Sequence, residues 1–80
     1  MNIVFSRHAE DMLTEPELMR DWMKRAVSDP DWTEPDSHPG RIRSFRAIPE
    51  RDMKMLRVVH VRDEETCRIV TAFFDRKRRR

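Results

Sequence analysis

The chain has 80 residues, 40% of them charged, with a single cysteine and no tyrosine, so it makes one domain with a thin stability margin and no disulfide framework. Its net charge of +2 hides an asymmetry: residues 1–40 carry 4 basic against 9 acidic side chains, and residues 41–80 carry 13 against 6. No apolar run approaches the ~20 residues of a membrane span, and MNIVFSRHAE has no charged leader ahead of a long apolar stretch; the expectation is a cytoplasmic, bacterial-type protein with no membrane association.

In chain order, Ile3 to Phe5 in NIVFS predict a short strand, ended by a Ser6 that can cap a helix. RHAEDMLT then spaces Ala9, Met12 and Leu13 helically. TEPE is a capping-box pattern, in which Thr14 accepts from the backbone of Glu17 and the Glu17 carboxylate reaches back. Pro16 is tolerated there because a first-turn N–H has no helical partner. In the helix that follows, Leu18, Met19, Trp22, Met23, Ala26 and Val27 form one apolar stripe, with Asp21, Lys24 and Arg25 off it. SDP stops this helix. DPDWTEPDSHPG holds three prolines and the only glycine, and reads as a loop in which Trp32 plugs the core edge.

RIRSFRAI, MKMLRVVHVR and CRIVTAFFD read as three further strands, the last two joined through DEET. The predicted domain, residues 1–75, is α+β in the order β-α-α-β-β-β: a twisted, mainly antiparallel sheet with two helices packed on one face. Residues 76–80 form a basic tail expected to be disordered.

An unbroken hairpin about Glu64–Glu65 places Leu56, Val58, His60 and Arg62 opposite Phe73, Thr71, Ile69 and Cys67, with Lys54 and Asp75 on the same face. Met55, Arg57, Val59 and Val61 then lie on the other face, opposite Phe74, Ala72, Val70 and Arg68. The second face has the more apolar centre and is expected to receive the helix stripe. The first, half polar, is expected to stay open as a binding groove or dimer contact. Arg57 on a core face would reach the sheet edge along its aliphatic stem, or pair with Glu10 or Asp11.

Four strings, SRHAEDM, RSFRAIPE, MLRVVH and VTAFFDR, resemble in order and spacing the bacterial domain-of-unknown-function family 4258, over about Phe5 to Arg76. That family is similar in element order to the RelE/ParE-like toxin superfamily, in which ribosome-dependent or free mRNA cleavage, gyrase inhibition and antitoxin binding occur. The resemblance implies a RelE/ParE toxin-like fold. The family's helix-start HA matches His8 and Ala9, and its FDR matches Phe74, Asp75 and Arg76. This chain departs from the pattern in LTEPEL, which has Pro16 and no arginine, and in RDMK, which lacks the glycine usual before MLRVV.

Several chemistries have no support in the residues. There is no Cys-x-x-Cys or His-x-x-x-His, and the three histidines fall in separate elements, so no metal or other cofactor is expected. With Gly40 the only glycine, there is no phosphate-binding loop. Cys67 reads as a small sheet residue, since His60 lies two positions along the partner strand.

Metal-free RNA cleavage needs a base for the 2′-hydroxyl, cations for the charged phosphorane and an acid for the leaving oxygen. The catalytic candidates are His60, His8, Arg57 and Asp75, with Glu50 as a further acid/base group. Arg43, Arg46, Lys54, Arg62, Arg76, Lys77 and Arg78 are the candidates for nucleic-acid contact. Each also has a plain structural reading. His8 would make a helix-start hydrogen bond, His60 would be an exposed strand residue, and the arginines of RIRSFR would guard an edge strand. The basic tail adds salt-dependent affinity for nucleic acid in either case.

Two functional expectations follow. One is a toxin-type ribonuclease acting on RNA or the ribosome under an antitoxin's control. The other is a non-catalytic module that uses the same sheet to bind a protein partner or to form a homodimer. The basic second half favours the first, and the absence of tyrosine counts against it.

Overall fold

The computed structural model describes residues 2–14 and 20–77. Strand β1 (Asn2–Phe5) leads to helices α1 (Arg7–Met12) and α2 (Arg20–Ser28). Strands β2 (Trp32–Pro35) and β3 (Ile42–Ile48) follow, then a single 3-10 turn, Pro49–Arg51. Strands β4 (Lys54–Asp63) and β5 (Thr66–Phe74) are the last of the described elements. The strands form one five-stranded sheet in the order β1-β5-β4-β3-β2. β1 runs parallel to β5 and every other pairing is antiparallel, giving an α+β fold with a mixed sheet and two helices. Among the described residues, no helix is long and apolar enough to cross a membrane.

Ser6 ends β1 and starts α1, as its side chain allows. Its Oγ accepts from the Ala9 N–H at 3.1 Å and donates to the Val70 carbonyl at 3.0 Å, so one hydroxyl caps the helix and ties it to β5. The Thr14–Glu17 capping box and the Leu18–Met19 start of the apolar stripe involve residues 15–19, outside the described residues. The remainder of the stripe behaves as its spacing requires: Trp22, Met23, Ala26 and Val27 are buried.

The structure corrects the expectation of a loop at Trp32. Trp32–Pro35 is an edge strand paired with β3, and the Trp32 ring stacks on Phe45 with centroids 4.8 Å apart and planes 11° from parallel. Pro35 is compatible with this because an outermost strand can lose one N–H without breaking an inner ladder.

A second correction concerns the faces of the hairpin. From Asp63↔Thr66 to His60↔Ile69 the β4–β5 register is the expected one; there it shifts by one, and Val59 pairs with Thr71. Val70 is the extra residue of a β-bulge. Beyond it, Ala72 and Phe74 join Leu56 and Val58, while Thr71 and Phe73 join Val59 and Arg57. The face of Leu56, Val58 and Ile69 thereby becomes the apolar one, and it receives Ala9, Trp22, Met23, Ala26 and Val27 from the helices. Phe74 meets Trp22 edge-on, with centroids 6.2 Å apart. The expected core and open faces are therefore exchanged on β4. The open face holds a smaller cluster of its own, Phe45, Ala47 and Met55 under Trp32.

Candidate functional site

His60 lies on the helix-packed face, fully buried, between Ser44 and Cys67, which are also fully buried. Ser44 Oγ is 2.7 Å from His60 Nε2, and Cys67 Sγ is 3.4 Å from Nδ1. The trio has the outline of a nucleophile, a base and an orienting group, but it is closed to solvent. Burial, with Arg62 adding a repulsive charge, lowers the His60 pKa to about 4. Burial raises the Cys67 thiol above its ordinary value. Both groups are neutral at pH 7, and the trio works as a polar tie between β3, β4 and β5. The open position expected for His60 is thus replaced by a core position. Ser44 had no sequence signal of its own; only the β3–β4 register brings it beside the ring.

Arg57 and Asp75 do meet, on the open face. Arg57 Nη1 donates to Asp75 Oδ2 at 3.2 Å, and the guanidinium carbon sits 4.8 Å from the centroid of the Phe73 ring. The bulge creates this contact, since it makes Phe73 the direct cross-strand partner of Arg57. Phe73 remains 41% exposed. Among the described residues, the buried Arg57 Nε meets no acceptor, an arrangement that costs about 1–3 kcal/mol. The backbone fixes Asp75 from two sides: its own N–H donates to the Met55 carbonyl at 2.8 Å, and its Oδ1 accepts from the Lys77 N–H at 3.0 Å. Exposed Lys54, Arg76 and Lys77 lie at this same end of the sheet, where β4 begins and β5 ends, but alternation from Leu56 and Val58 puts Lys54 on the helix-packed face and not on the open face expected for it.

The other candidates do not gather here. His8 is exposed on α1, where Ser6 makes the helix-start bond, and no described contact joins it to Arg57 or Asp75. Glu50 makes a two-pronged pair with Arg25 of α2 at 3.0 and 2.9 Å, and that pairing lowers its pKa to about 2. Arg43 donates to Asp36 at 2.7 Å, holding the Asp36 carboxyl well below the usual carboxylate range. Arg46 is paired with Asp29 at 3.1 Å. Arg62 is on the helix side, where it donates to the Val27 carbonyl near the end of α2 at 3.3 Å. Arg78 lies outside the described residues. Among the described residues, no group of His, Cys, Asp and Glu side chains could hold a metal ion.

At the far end of the open face, Val4, Val61, Asp63, Thr66 and Arg68 line an open cavity of about 310 Å³. Sequence reasoning put Val61 and Arg68 on the core face; the exchange of faces leaves them beside this cavity. Comparison of the chain with family models, with curated proteins and with solved structures finds no match. The chemistry of the site rests on its own residues.

Proposed function

We propose that the chain is an RNA-directed protein of RelE/ParE toxin-like layout that contacts RNA at the Phe73 end of its open sheet face. The supporting observation is Phe73 itself: an exposed ring backed by the Arg57 guanidinium, with exposed Arg76 and Lys77 following a few residues on in the chain. An exposed ring accepts any base by stacking, a contact of about 1–3 kcal/mol, and nearby cations follow the phosphates. Arg57 donates from Nη1 to Asp75 while its side chain stays partly exposed; a phosphate oxygen is an acceptor that suits a guanidinium.

In its fuller form this reading is a ribonuclease held by an antitoxin and acting on free RNA or at the ribosome. Arg57 would stabilise the phosphorane, and Asp75, once released from Arg57, would take the 2′-hydroxyl proton and return it to the leaving 5′-oxygen as the P–O5′ bond breaks. His60 has no part in it. A second reading, a non-catalytic module that binds a protein through the same face, draws on the Arg57–Asp75 pair, whose charges already offset each other.

Titration of a labelled single-stranded RNA tests the first reading. Binding should weaken steeply with salt and fall about tenfold in Phe73→Ala, the loss of one stacked base. Absence of salt-dependent binding would overturn it. Expression of the chain alone, with total-RNA sequencing beside Arg57→Ala, separates its two forms: mapped cleavage lost in the variant supports the nuclease, and intact RNA restricts the protein to binding.

A further inference from the structure

The geometry points to a two-fold dimer of this chain, formed by antiparallel pairing of β1 with β1 of a second copy and centred on Val4. Among the described residues β1 is an outermost strand whose only strand neighbour is β5. The N–H groups of Asn2 and Ser6 donate inward, to Glu65 at 2.7 Å and Ile69 at 2.9 Å. Since backbone groups on a strand alternate in direction, those of Ile3 and Phe5 point outward, away from the sheet. They form a template for another strand.

Proteins commonly guard such edges with charge or proline. The opposite edge, β2, carries both, in Glu34 and Pro35. β1 reads Asn-Ile-Val-Phe and carries neither.

The occupant is set by self-complementarity. In an antiparallel pair with Val4 opposite Val4, Ile3 of each copy exchanges both backbone bonds with Phe5 of the other, and all the outward groups are satisfied. The two Val4 side chains meet at the axis as a non-hydrogen-bonded pair, where side chains come closest. Val4 is 43% exposed and is one of three large apolar residues left exposed among those described. A two-fold axis perpendicular to the sheet keeps both helix layers on one side, so the result is a continuous ten-stranded sheet with one uninterrupted open face. The Val4–Arg68 cavities of the two copies become neighbours across the axis, with the Arg68 Cα atoms roughly 14 Å apart by strand spacing. This dimer uses the strand edge and leaves the Phe73 end of each copy free.

Sedimentation over about 1 µM to 1 mM protein, the range in which small interfaces assemble, tests it alongside amide hydrogen exchange. A monomer–dimer equilibrium is expected, with Ile3 and Phe5 amides gaining protection as concentration rises. Val4→Lys, at an exposed side chain outside the helix-packed core, places like charges at the axis and should weaken the dimer by more than about tenfold. Val4→Thr, uncharged and β-branched, should retain it. A monomer at every concentration overturns the proposal. So does a dimer that survives Val4→Lys, or one in which the Ile3 and Phe5 amides stay unprotected. RNA titration of Val4→Lys reads the Phe73 site separately, so either proposal can fail while the other stands.

Discussion

His60 is neutral in the folded chain down to about pH 4, whereas in the unfolded chain it titrates near 6.5. Between these values the unfolded state binds the extra proton, so stability must fall as pH drops from 6.5 to 4 and level off below. The loss is at most roughly 3 kcal/mol. Urea denaturation across that window should show it, and the same slope should be missing from His60→Gln. The depressed Glu50 and Asp36 carboxyls contribute in the same direction but lower, below their ordinary values of 4.5 and 3.8, so the upper part of the window belongs to His60. Ser44→Ala strips His60 Nε2 of its partner inside the core and should cost about 1–3 kcal/mol by the same measurement. Met53 gives the opposite case. It holds φ 61 directly after Asp52 at φ 55, two left-handed residues in succession, and it is 52% exposed. Met53→Gly relieves that conformation and should raise the unfolding free energy by about 0.5–1 kcal/mol.

Among the elements, those set by local pattern were legible and those set by a distant partner were not. The stripe of Trp22, Met23, Ala26 and Val27 declares its buried face through spacing alone, and the Glu64–Glu65 turn fixes the register out to His60↔Ile69. The bulge at Val70 has no local marker, being neither glycine nor flanked by one. What holds it is Ser6, 64 residues away, whose hydroxyl bonds the Val70 carbonyl. One unmarked residue was enough to exchange the faces and to misplace His60 and Arg57. β2 escaped notice for a similar reason: Pro35 and the prolines either side of the strand signal a loop, and its strand character depends on Phe45 beneath Trp32. Deletion of Val70 tests the role of the bulge. Thr71, Ala72, Phe73 and Phe74 keep their present partners in an unbroken ladder, so Phe73 should still face Arg57 and RNA affinity should persist. The carbonyl that anchors Ser6 is lost while the Ala9 cap bond survives, and stability should drop by about 0.5–1.5 kcal/mol, the worth of one hydrogen bond.

Across the whole molecule, acidic first half and basic second half do not form two opposed fields. Much of the charge is cancelled between elements: Glu10 with Arg20, Arg25 with Glu50, Asp29 with Arg46, Asp36 with Arg43 and Arg57 with Asp75. Several arginines that look available in the sequence are therefore held in pairs, and the exposed cations that follow Phe73 in the chain are Arg76 and Lys77. These should set the salt response of RNA binding, with Lys77→Ala lowering the slope of log affinity against log salt by a little under one for single-stranded RNA. The two tryptophans add a different handle on the molecule. Trp22 belongs to the cluster beneath the helices and Trp32 to the one on the other side of the sheet. Each can be replaced by phenylalanine in turn, leaving a single fluorophore on a chosen side. If the two emission curves coincide on unfolding, the sheet transmits cooperativity through its own thickness; if the Trp32 curve runs ahead, the small cluster melts as a unit of its own.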